Sequence, residues 1–214
     1  MSDTLSSTGW HFDAETGLTT RNAKPTTTAA TPLFEVLALP DDLLRQAISV
    51  HEAGHVAVML HLGIPFKGVA MRDDLRAALN GGNTAEVDVT NGFSVPLAGG
   101  LVMFAVGERA QDRWLRETGR WTATRGWAAE AGALGDRREI YRAVREAFGK
   151  DLTFGASDDP CRDLAALHDH TDALLDTLWD RVMALAEALD RRGRLTAGQA
   201  AEAAGLSPKA VWQR

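Results

Sequence analysis

Between Pro40 and Pro65 the chain reads LLRQAISVHEAGHVAVMLHL, an apolar-rich run that constrains its fold more than any other segment. Asp41 and Asp42 supply the acids of a first helical turn and Gly63 a stop, so the pattern predicts a helix over about 42–62. Val56, Val58, Met59 and Leu60 are set to bury its flanks. Gly54 sits in its middle although glycine costs about 1 kcal/mol there.

Inside this helix lies His51-Glu52-Ala53-Gly54-His55, an HExxH pattern. A spacing of four turns about 400° along an α-helix, so the two imidazoles leave one face a turn apart, as two ligands of one tetrahedral zinc require. Glu52, one position on, can reach the edge of such a site without ligating. A carboxylate there can take a proton from an attacking water and pass it to a leaving amine while a metal polarises the carbonyl. The chemistry to which this points is amide hydrolysis.

The third ligand is open at this level. His61 follows His55 by six residues, roughly 240° round the helix, and faces away. Glu108 and Asp112 form an ExxxD on a second expected helix, a spacing that can supply a glutamate ligand with an aspartate behind it. Of His168 and His170, about 200° apart, only one can face a given metal. Asp159, in GASDD, reads by spacing alone as an acid at a helix start, with Ser157 as cap.

Around the HExxH helix the sequence predicts a mainly α (α+β) fold with a small β-sheet beside that helix. FKGVAMR and the segment after GGNT read as strands, VPLAGGLVMFAVGERAQDRWLRE as a second long helix, and DRREIYRAVREAF as a helix capped by Asp136. Residues 118–134 lack clean periodicity, and the stretch from GASDD to Gly193 gives one long or two consecutive helices. Residues 1–32, rich in Thr and Ser, read as a disordered arm, 33–192 as the main domain and 193–214 as a helical tail.

A net charge of −6 opposes binding to phosphate backbones or anionic lipid, so nucleic acid and membrane are not expected partners. The lone Cys161 excludes an internal disulfide and a cysteine-based zinc cluster. With no apolar run near the ~20 residues of a membrane span and no secretory signal pattern, a cytoplasmic location is the expectation.

SVHEAGHVAVMLHLG resembles the zinc helix of the FtsH-type AAA metalloproteases, and three later segments resemble that family in order. These are GERAQD, FGASDD and LWDRVMALAEALDRRGRLTAGQ. The resemblance spans roughly residues 42–203 and covers the peptidase half only, since no GxxxxGK[ST] phosphate loop is present. It implies a Zn2+ cofactor held by His51, His55 and Asp159, with Glu52 as catalytic base. Residues 118–150 then stand as an insertion, and Asp158 and Pro160 depart from the family's pattern.

The expected function is therefore a zinc-dependent metalloendopeptidase acting, without ATP as a single chain, on unfolded or flexible polypeptide. A strand near Gly68–Arg72 would pair with that substrate. The family's ring assembly implies a homo-oligomer. Two alternatives stand beside this reading. One is a non-catalytic peptidase-like binding protein with a structural zinc site. The other is a regulator whose tail, RLTAGQAAEAAGLSPKAVWQR, forms a helix-turn-helix-like unit.

Overall fold

The computed structural model describes residues 9–26, 31–75, 85–89 and 94–207. It is mainly helical with a small antiparallel sheet, the α+β class that the sequence predicts. The predicted zinc-pattern helix is α2 (Asp41–Leu62), following a short α1 (Leu33–Leu37). It ends where Gly63 takes φ 70° and donates its N–H to the Met59 carbonyl.

Helix α2 is buried over most of its length because α3 (Leu97–Glu117) and the 29-residue α6 (Leu164–Arg192) pack along it. Between α3 and α6 run α4 (Ala123–Gly132) and α5 (Leu134–Phe148). Sequence periodicity misses α4: its two glycines and Trp127 mask a helix that Thr122 caps by accepting from the Arg125 N–H at 3.2 Å. Asp163, not Ser157, caps α6, accepting from the N–H groups of Ala165 and Ala166.

Strands β3 (Phe66–Met71), β4 (Ala85–Val89) and β5 (Arg194–Thr196) form one sheet in the order β4-β3-β5, all antiparallel. The central β3 has both edges occupied, so the expected pairing of a substrate strand with Gly68–Arg72 does not fit. Among the described residues the outer edge of β4 pairs with no strand.

The N-terminal segment departs from its sequence reading. Residues 9–26, expected within a disordered arm, hold a hairpin of β1 (His11–Asp13) and β2 (Leu18–Thr20). Trp10, Leu18, Thr19 and Thr20 are buried, and the hairpin lies against the helices. Burying Trp10 and Leu18 provides the apolar area that the Thr-rich composition obscured. At the other end β5 completes the sheet and α7 (Ala197–Ala203), closed by a Thr196–Gln199 capping box, packs on α6 and β3. The second half of the helix-turn-helix reading, with Lys209, Val211, Trp212 and Arg214, lies outside the described residues. No helix among the described residues is long and apolar enough to cross a membrane.

Helices α2 and α3 approach closely at Gly54. A Cβ at Gly54 would stand 3.1 Å from both the Val106 carbonyl oxygen and the Ala110 Cβ. The mid-helix glycine thus lets two backbones approach, which offsets its cost in helix propensity. Gly54→Leu is expected to lower stability by about 1–3 kcal/mol through overpacking. Gly100→Ala, where an added Cβ meets nothing within 4 Å, should leave stability unchanged or raised, and thermal unfolding of both compares them.

Candidate metal centre

His51 and His55 leave one face of α2, and their Nε2 atoms lie 3.2 Å apart. The carboxylate that meets them is Asp136, in the first turn of α5. Its Oδ2 is 3.4 Å from His51 Nε2 and 3.5 Å from His55 Nε2. Ligand bonds of about 2.0–2.1 Å in a tetrahedron place donors about 3.3–3.4 Å apart, so these three atoms fit the edges of such a site. They form a group that could hold a metal ion.

The surroundings agree with the donor set. Met103 in α3 offers its carbonyl to His55 Nδ1 at 2.6 Å, so Nδ1 carries a hydrogen and Nε2 faces the site. Gly107, also in α3, stands beneath the convergence: a Cβ there would lie 2.5 Å from both Nε2 atoms. Burial disfavours a charged imidazole at His55, yet the Asp136 carboxylate outweighs it and, with Glu52 and the Met103 carbonyl, pushes the group up to about 9. Positive charge is therefore favoured where the nitrogens converge. The same imidazoles pull the Asp136 carboxyl well below the usual carboxylate range, against its burial.

Glu52 is buried and lines the same cavity of about 280 Å³ as His51, His55 and Asp136. Val87 and Val89 of β4 and Met103 and Phe104 of α3 give the cavity apolar walls.

The remaining candidates fall elsewhere. Asp159, which the family resemblance puts on the metal, has a 46% exposed carboxylate that accepts from the Cys161 N–H at 2.9 Å and pairs with Arg162 at 3.5 Å. That placement has a local cause. Buried Asp163 gathers the loop by accepting from Gly155 N–H, Ala156 N–H and Thr153 Oγ1, so Gly-Ala-Ser serves as a turn around the α6 N-terminus. Asp136, which sequence explains as a helix cap, is the carboxylate that lies beside the two imidazoles, from within the expected insertion 118–150.

Glu108 is buried and held by Arg137, through Nε at 2.6 Å and Nη2 at 2.8 Å. Asp112 accepts from Arg116 and from Trp121 Nε1 at 2.7 Å. His168 is fully buried: its Nε2 lies 2.6 Å from Glu108 Oε1 but out of line for a hydrogen bond, and Nδ1 has no hydrogen-bond partner among the described residues. His61 and His170 are exposed.

Comparison with sequence models of known families and with curated proteins yields no match.

Gly107→Ala places a methyl group where the imidazole nitrogens converge, so metal stoichiometry measured after dialysis is expected to fall to near zero. Burial raises the Glu108 carboxyl, but Arg137 outweighs it and draws the group down to about 2. Burial pushes the His168 imidazole down to about 4 despite the Glu108 carboxylate. Both folded-state values lie below their unfolded ones, so each contribution is present at higher pH and lost on acidification. Stability, followed by urea unfolding, should decline from about pH 6.5 for His168 and further from about pH 4.5 for Glu108; Glu108→Gln should flatten the lower part.

Proposed function

We propose that the chain is a zinc-dependent metalloendopeptidase that cleaves extended or unfolded polypeptide. The observation that carries this reading is the convergence of His51, His55 and Asp136 with Glu52 beside them in one apolar-walled cavity. The resemblance of the HExxH helix to FtsH-type peptidases supports it independently of the third ligand.

Two imidazoles and one carboxylate are a donor set suited to zinc. When bound, zinc polarises the scissile carbonyl and makes a neighbouring water acidic enough to attack at neutral pH. His51, His55 and Asp136 hold the metal, and Met103 fixes the His55 ring. Glu52 accepts the proton of the attacking water and donates it to the departing amine. The edge of β4 that pairs with no strand among the described residues, and whose Ala85, Val87 and Val89 line the cavity, offers backbone groups to an extended peptide. Met59, Met103 and Phe104 exclude water around the reacting bond.

A structural zinc site is usually closed by four protein ligands. Here three are found among the described residues, and they open on a cavity with Glu52, which favours catalysis over the purely structural reading. The test is cleavage of an unfolded model protein by metal-analysed wild type beside Glu52→Gln. The variant is expected to lose about 10²–10⁴-fold in rate while retaining its metal. Chelation should abolish cleavage by wild type, and added Zn2+ should restore it. Zinc-loaded wild type that leaves the substrate intact, or Glu52→Gln cutting equally well, would overturn the proposal.

A further inference from the structure

We propose that Arg137 is the positioning residue of the metal centre, and that the N-terminal hairpin, by closing over Arg137, sets the place of Asp136. The inference rests on the metal-binding reading of His51, His55 and Asp136, and not on peptidase activity.

Asp136 and Arg137 are consecutive in the first turn of α5, so their side chains diverge by about 100°. Asp136 faces the histidines, while Arg137 points into the core, where its residue is 0% exposed. Holding the guanidinium therefore fixes the rotation of this turn about the α5 axis, and with it the direction of Asp136.

Three elements hold it. From α3, Glu108 takes a two-pronged contact from Nε and Nη2. Glu108 follows Gly107, the residue beneath the histidine nitrogens, so this contact ties Asp136 to the same backbone on which the imidazoles rest. From α4, Glu130 accepts from Nη2 at 3.2 Å. From β2, the Thr19 carbonyl accepts from Nη1 at 2.9 Å.

The hairpin segment also holds Glu130. Its carboxylate accepts from Arg21 N–H at 2.7 Å, Asn22 N–H at 3.3 Å and Asn22 Nδ2 at 2.7 Å. Trp10, before β1, packs against Phe154 and His168, with ring centroids 5.5 and 5.9 Å away. Arg137 and Glu130 are thus held by residues more than a hundred positions earlier in the chain. No contact joins these covering groups to His51 or His55 among the described residues, and Asp136, the neighbour of Arg137, is the side chain of this turn that reaches both imidazoles.

The experiment measures Zn2+ affinity of the full-length chain by competition with a chromophoric chelator, together with the visible absorption of the Co2+-loaded protein. Arg137→Lys keeps the charge and removes the fork; Asn22→Ala removes one hairpin contact and leaves the core intact. Each is made with Asp136 present and in an Asp136→Ala background. With Asp136 present, Arg137→Lys is expected to weaken Zn2+ binding about 10–100-fold, Asn22→Ala severalfold, and both should reduce the Co2+ absorption. In the Asp136→Ala background neither should change affinity further. If Arg137→Lys does not fold, Asn22→Ala decides alone. Wild-type affinity in Asn22→Ala, or losses of equal size without Asp136, would overturn the positioning role while leaving the metal centre standing. A wild-type chain that binds no Zn2+ would overturn both.

Discussion

The close approach of α2 and α3 is the constraint on which the rest of the molecule depends. Gly54 removes a side chain where α2 meets Val106 and Ala110, and Gly107 removes one where α3 passes beneath the imidazoles. The first absence brings the helices together; the second leaves room between two nitrogens and a carboxylate. With α3 so close, the Met103 carbonyl reaches His55, and Glu108, next to Gly107, meets Arg137. Packing and chemistry share one helix pair, so neither can be altered without the other.

Burying charge beside this contact has its own consequence. Arg137 and Glu108 are almost inaccessible, and removing one partner of such a pair typically costs about 3–5 kcal/mol because the other is left uncompensated. Glu130, the Thr19 carbonyl and the Asn22 amide complete the hydrogen bonding that makes the burial tolerable. The polar cluster also imposes an order on the fold: α4, α5 and the N-terminal hairpin satisfy one another only when all three are in place. Residues 9–26 are thereby drawn into the body of the protein.

Legibility varied with the range of the interactions involved. Helix α2 and its two histidines could be read because helical periodicity and the four-residue spacing are local, and the stop at Gly63 is local too. Helix α4 could not, since Gly126, Trp127 and Gly132 break the expected pattern while tertiary contacts bury the consecutive residues 126–130. Asp159 was placed on the metal by resemblance, but five groups gathered on the Asp163 carboxylate fold that loop into a cap. Asp136 had a sufficient local explanation as an acid at a helix start. The glycines at 132 and 135, which line the cavity beside it, were the faint sign of something more.

By itself the sequence determined a mainly helical chain with a small sheet, a buried HExxH helix and a pair of imidazoles on one face, because these follow from backbone period and side-chain type. Which carboxylate joins the imidazoles was decided only by tertiary structure. That choice depends on the rotation of α5, and the rotation is held by Arg137 through Glu108, Glu130 and Thr19, residues from α3, α4 and β2. No local pattern encodes such a meeting, since its partners are separated by up to 118 positions and are brought together only when the core closes.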